Sequence, residues 1–243
     1  MRKTLAVFAL LALWGGAAYA LPALQLGPGV GTWTYDTGTQ TWVTDTNPFS
    51  LFAYANAAVG GNGDFAWQSA GASTRNAYLV ISAVPMISFD GFDVTVDNGA
   101  GAMSIFDSGF GAPPVQDNND LAPHGIFDTW FEIYEFQFDA AAVTIGDTQP
   151  GGTGTGMGHA EEFDITINSL EAGVTGIHMD LFVVEGDGTF DPSAPANSNK
   201  KLVNAFAPFS HDAQHVVPEP TTLVLLGVGI MGAGIASRRR RRS

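Results

Sequence analysis

Alternation of apolar and polar positions with a period of two runs through most of the chain. FDVTVD (Phe92 to Asp97) sets Phe92, Val94 and Val96 on one face and Asp93, Thr95 and Asp97 on the other, and FDITIN (Phe163 to Asn168) repeats the pattern. Such segments predict half-buried β-strands. AYLVISAV (Ala77 to Val84) and GIHMDLFVV (Gly176 to Val184) are apolar on both faces, as inner strands are. TWFEIYEFQFD (Thr129 to Asp139) predicts a long aromatic strand, and FSLFAYA (Phe49 to Ala55) another. TWTYDTGTQTWVT (Thr32 to Thr44) predicts a hairpin turning over Asp36 to Thr39, with Gly38 supplying a positive φ.

Gly-rich segments separate these runs and read as connectors: VGGNGD, DNGAGA, SGFGAPP and PGGTGTGMG. A polar, Pro/Asn/Ser-rich segment from Asp187 to Lys201 predicts a long surface loop. Between the termini no stretch carries a convincing 3.6-residue period. Eight to ten strands with turn signals between them predict an all-β fold, an antiparallel β-sandwich or jelly roll.

The ends of the chain break this pattern. MRKTLAVFALLALWGGAAYA has a basic start at Arg2 and Lys3, an apolar run from Leu5 to Trp14, and small residues Ala18 and Ala20 at the −3 and −1 positions of a cleavage site. This is the form of a secretory signal peptide over residues 1–20, which would leave Leu21 as the mature N-terminus. An uncleaved anchor helix is the competing reading, and the short apolar run speaks against it. At the other end, Thr221 to Ser237 carries no charge. As a helix at about 1.5 Å per residue it would span roughly 25 Å, near the lower limit for a bilayer core of about 30 Å. Arg238, Arg239, Arg240, Arg241 and Arg242 follow, a stop-transfer cluster that the positive-inside rule holds in the cytoplasm. Both ends place the intervening chain outside the inner membrane. The expected division is a signal peptide over 1–20, an ectodomain over 21–210, a linker over 211–217 and a tail over 218–243.

A plain anchor has no use for Pro218-Glu219-Pro220 just outside the membrane. Two prolines around one glutamate hold the backbone extended, the form that a protease or transpeptidase binds. Val-Pro-Glu-Pro, a short apolar helix and a basic cluster, in that order over 217–243, resemble the PEP-CTERM sorting signal. That resemblance implies recognition and processing by the integral-membrane cysteine enzyme exosortase, through Pro218, Glu219 and Pro220. It further implies a bacterium that makes exopolysaccharide, and a protein released or handed to the cell surface. A permanent anchor behind a Pro-containing linker is the alternative.

Charge changes the list of partners. The chain has 24 acidic and ten basic residues, but seven of the basic ones lie in the two targeting segments. From Leu21 to Val217 there remain 23 acidic residues, all but Glu219, against Arg75, Lys200 and Lys201. Nucleic acid needs many Lys and Arg contacts and is excluded as a partner. The surface would attract divalent cations, although exported bacterial domains are often acidic for solubility alone. With no cysteine there is no disulfide, thiol nucleophile or thiolate metal site.

Motifs for chemistry are sparse. GGTGTGMG (Gly151 to Gly158) is not a phosphate-binding fingerprint and reads as a flexible loop. Glu132 and Glu135, three apart on one strand, must face opposite ways and cannot pair as a glycosidase does. No Gly-x-Ser-x-Gly elbow or His-Glu-x-x-His appears, so an uncharacterised hydrolase is the weakest of the functional readings. Glu185, Asp187 and Asp191 in VEGDGTFD, and Asp117 and Asp120 in QDNND, offer oxygen ligands suited to Ca2+, or solvated acidic turns. Otherwise no cofactor is expected. His178 and Asp180 share a strand face, Asp212 adjoins His211, and a metal site built from His178, Asp180 and His211 is conceivable. The commoner arrangement is a set of hydrogen-bonding histidines that fix the C-terminal segment to the sheet. Trp33, Trp42, Trp67 and Trp130 could stack on sugars, or belong to the core.

GTWTYDTGTQTWVTDTNPFSLFAYAN, VISAVP, PHGIFDTWFEIYEFQFD, HMDLFVV and FAPFSHDA together resemble the choice-of-anchor N family, exported bacterial proteins with alternative anchoring tails. That family has no established activity or ligand, so the resemblance implies only a single module with an exchangeable anchor. The expected function is that of a non-enzymatic surface or matrix protein, with exosortase, the secretion machinery and the membrane as partners and exopolysaccharide as a further one. A carbohydrate- or calcium-binding module is the alternative.

Overall fold

The computed structural model describes residues 22, 24–56, 76–111, 128–138, 141–184, 191–193, 203–207 and 212–217. The predicted signal peptide, the sorting tail, Arg75, Lys200, Lys201 and the QDNND segment lie outside them. Among the described residues the fold is all β, with no helix and none long and apolar enough to cross a membrane.

The strands are β1 (Leu24–Pro28), β2 (Trp33–Asp36), β3 (Thr41–Thr44), β4 (Phe49–Asn56), β5 (Asn76–Val84), β6 (Phe92–Asp97) and β7 (Asp107–Gly111). They continue as β8 (Thr129–Gln137), β9 (Val143–Gly146), β10 (Thr155–Leu170), β11 (Gly176–Val184), β12 (Val203–Phe206) and β13 (Ala213–Val216). One sheet has the order β1-β4-β10-β6, with β9 on the N-terminal half of β10. The other has the order β2-β3-β13-β11-β5-β8-β7, with β12 on the end of β11.

The two sheets enclose one core. The first sheet contributes Leu24, Leu26, Leu51, Phe163 and Ile165, and the second contributes Leu79, Ile81, Tyr134, Phe136, Ile177 and Met179. Phe136 and Phe163 meet edge to face across the layers, with ring centroids 4.8 Å apart. At about 25 cal/mol per Å2, burial of these apolar side chains is the main favourable contribution to folding. Side-chain amides lock the strand ends. Asn47 donates through Nδ2 to the Ile167 carbonyl and accepts the Ile167 N–H, mimicking one more ladder pair beside β4. Gln25 does the same for the strand end after β9, donating to the Gly146 carbonyl and accepting from Thr148 N.

The structure departs from the sequence-based expectations at several places, and β1, β9 and β12 lie where no strand was predicted. SGFG, expected as connector, is the core of edge strand β7. The second half of GGTGTGMG opens β10, where it pairs with β9. In the hairpin the positive φ falls on Gln40 (φ 58) and not on Gly38, whose N–H instead bonds the Asp36 carboxylate. Ala213 to Val216, within the stretch read as linker, is strand β13, seated between β3 and β11. Its pairing with β3 is parallel, so the second sheet is mixed and not purely antiparallel. A strand that arrives from so far along the chain is not bound by a hairpin and can run either way beside its neighbour.

Candidate functional site

Strand β11 buries Ile177, Met179, Leu181 and Val183 in the shared core. His178, Asp180 and Phe182 therefore project from the opposite, outer face of the second sheet. That face is also buried: Tyr78, Val80, Ile133 and Phe182 are 0% exposed, and Tyr78 stacks on Phe182 with centroids 5.0 Å apart.

Asp180 lies within this apolar outer layer. Its β11–β13 neighbourhood pairs Met179 with Ala213, and one further step of that register brings Asp212 opposite Asp180. The Trp42 N–H holds the Asp212 carbonyl at 3.0 Å, fixing the residue at the mouth of β13. Ser82, on β5, is the cross-strand neighbour of His178 on its other side. Three chemistry-bearing side chains thus converge: His178, Asp180 and Asp212, whose ligating atoms all lie within 4.8 Å of one another. His178 Nε2 is 3.4 Å from Asp180 Oδ2 and 3.8 Å from Asp212 Oδ2. Both carboxylates are fully buried.

Electrostatics in this cluster are strong. Burial by itself lowers the His178 pKa, but the Asp180 carboxylate and then Asp212 more than offset it and raise the imidazole to about 10. Neither oxygen of Asp180 has a hydrogen-bond partner, and the Ser82 hydroxyl is buried without one as well. A 3.4 Å contact between ring nitrogen and carboxylate oxygen is a charge contact and lies beyond hydrogen-bonding distance.

The sequence placed His178 and Asp180 together by their i, i+2 spacing. Asp212 was weighed only as a neighbour of His211, because its place depends on β13 lying beside β11. The signal for it is faint: Asp212, Gln214 and Val216 alternate with Ala213 and His215 across a very short strand. His211 lies outside the described residues. His215 turns the other way, into the sandwich, and stacks on Phe49 of the opposite sheet with centroids 5.7 Å apart. Burial lowers its pKa. Backbone pairing of β13 with β3 and β11 fixes this segment to the sheet, and hydrogen-bonding histidines do not: neither ring nitrogen of His215 has a hydrogen-bond partner.

Other candidate residues fall elsewhere. Glu185 and Asp187 lie outside the described residues. Asp191 accepts hydrogen bonds from the backbone N–H and hydroxyl of Ser193 in its own turn. Glu132 and Glu135 do face opposite ways: Glu132 shares the core face with Tyr134, whose hydroxyl donates to it, while Glu135 accepts from Asn76 and Tyr78 on the outer face. Trp33, Trp42 and Trp130 pack against the core, and Trp42 Nε1 donates to the Thr148 carbonyl. Trp67 lies outside the described residues, as do Ala18, Ala20, Pro218 to Pro220 and the five arginines.

Residues 216–241 match the PEP-CTERM protein-sorting motif. This motif supports the reading of an exported substrate of exosortase, anchored at the membrane before processing. The match begins at the last residue of β13, and Val217 N still bonds the Thr175 carbonyl at 2.8 Å. No curated protein matches the chain. Among solved structures, the one described as "AvmM Catalyzes Macrocyclization in Alchivemycin A Biosynthesis" aligns over 78% of this chain and 96% of its own, at 13% identity and a TM-score of 0.30. A likeness that weak carries no functional argument.

Proposed function

We propose that this is a non-enzymatic surface or extracellular-matrix protein of an exopolysaccharide-producing bacterium, exported and then sorted by exosortase. The observation that carries the reading is the sorting motif at 216–241, which runs directly out of the last strand of the sandwich. The domain and its tail are thereby joined without a spacer, so a processing enzyme at the membrane meets Pro218-Glu219-Pro220 beside the folded sheet. A module with an exchangeable anchor, as the resemblance to the choice-of-anchor N family implies, fits display better than membrane-bound catalysis. The apolar segment 221–237 and Arg238 to Arg242 act as a temporary anchor. Association with exopolysaccharide is the expected destination.

Glu219→Ala removes the one charge in the recognition step while leaving both prolines. In the native host this variant should accumulate in the inner membrane with its tail intact, as read by fractionation and immunoblotting. Release at the wild-type level would overturn the sorting assignment.

A second reading, a cation-binding module, is favoured by one observation, the buried His178–Asp180–Asp212 cluster. The two readings are compatible, since a displayed sandwich can carry a bound ion.

A further inference from the structure

We propose that His178, Asp180 and Asp212 form a binding site for a first-row divalent transition metal of the Zn2+ type, which ties strand β13 to strand β11. Metal–ligand distances of about 2.0–2.2 Å in a tetrahedral site put ligand atoms roughly 3.3–3.6 Å apart. The His178 Nε2 to carboxylate separations of 3.4 and 3.8 Å are already close to that spacing. The donor set is one imidazole nitrogen and two carboxylates. Imidazole suits Zn2+ and its neighbours, whereas Ca2+ takes six to eight oxygens or thereabouts. This site is therefore distinct in chemistry from the acidic sequence at 185–191.

A second observation is independent of the spacing. Asp180 is 0% exposed, neither of its oxygens has a hydrogen-bond partner, and what meets its charge is the His178 ring, 3.4 Å away. A buried carboxylate is costly unless it is both paired and hydrogen-bonded or else holds a metal, and a charge contact without hydrogen bonds meets only half of that need. One divalent cation between two carboxylates and a neutral imidazole leaves the site without net charge. The Ser82 hydroxyl, buried and without a hydrogen bond beside His178, adds polar lining to the same wall.

The position gives the ion a structural role. Asp212 is the residue that leads into β13, and β13 leads directly into the sorting tail. In a chain without cysteine, a metal bridge here would do what a disulfide does elsewhere, closing the connection between β11 and the C-terminal strand. The inference stands apart from the sorting route and could hold if that route failed.

The test uses the full chain purified in detergent, stripped with chelator and titrated with Zn2+, Co2+ and, as a control, Ca2+. The expected result is about one equivalent of Zn2+ or Co2+ bound, with a rise in the unfolding temperature that Ca2+ does not give. Bound Co2+ should show visible ligand-field bands and shift the ring signals of one histidine. Asp180→Asn, which keeps the side-chain shape and removes a buried charge, should abolish that binding while preserving the far-ultraviolet spectrum. If that variant fails to fold, the wild-type Co2+ spectrum decides: one imidazole ligand supports the site. Folded wild-type protein that takes up no Zn2+ or Co2+, Co2+ bound by oxygen alone, or an Asn variant that binds as the wild type does, would each overturn it.

Discussion

Glu132 turns a carboxyl group into the core beside Tyr134. Burial raises its pKa above the usual 4.5, the Tyr134 hydroxyl lowers it, and Asp90 and Asp93 raise it further. Because the folded value lies above the unfolded one, the folded state holds the proton more tightly. The stability this contributes is complete below pH 4.5 and is lost as pH rises through the folded value. Glu132→Gln keeps a group for the Tyr134 hydroxyl and removes the titration. Urea unfolding across this range should fall with rising pH for the wild type and stay flatter for the variant; equal slopes would contradict the assignment. The opposing orientation of Glu132 and Glu135 was legible in the sequence, since strand geometry fixes it. The hydroxyl that meets Glu132 sits two residues along the same face, but the two were not paired on sequence alone. That Asp90 and Asp93 act on Glu132 was not legible, because they arrive from another part of the chain.

At the scale of elements, β5, β6, β8 and β11 were readable because hydrophobic pattern and burial coincide in them. Strands β7 and β13 were not. Strand β7 is Asp-Ser-Gly-Phe-Gly at a sheet edge, with little apolar surface to announce it. Strand β13 lies mid-sheet, but only Ala213 and His215 face the core, so its pairing across the chain defines it more than its composition does. Asp212, and with it the third member of the candidate site, was hidden for the same reason. This close pairing of β11 and β13 makes a prediction about Gly176. A Cβ built there would overlap the His215 carbonyl oxygen, while one at Gly109 on edge strand β7 meets nothing nearer than 3.9 Å, from the Phe131 ring. Gly176→Ala should therefore lower stability by about 1–3 kcal/mol, the usual cost of overpacking, and Gly109→Ala should not. Chemical denaturation of the two variants checks it, and equal effects would mean that β13 does not press on the start of β11.

For the whole molecule, two features define the protein. A cysteine-free, acidic two-layer sandwich carries its last described strand in the middle of a sheet, and the sorting motif at 216–241 begins at the end of that strand. On the proposed sorting route, recognition of Pro218-Glu219-Pro220 would fall within a few residues, in sequence, of the last described strand. Processing there would leave the strand, its hydrogen bonds to β3 and β11, and the His178–Asp180–Asp212 cluster intact in the mature protein. The direct measurement is the mass of the C-terminal peptide of the protein taken from its native host, together with the cell fraction that held it. Sorting by exosortase predicts a chain that ends near Pro218 to Thr221 and is recovered outside the inner membrane. A chain that still ends in the five arginines and remains in the inner membrane would contradict it and leave an ordinary anchored protein.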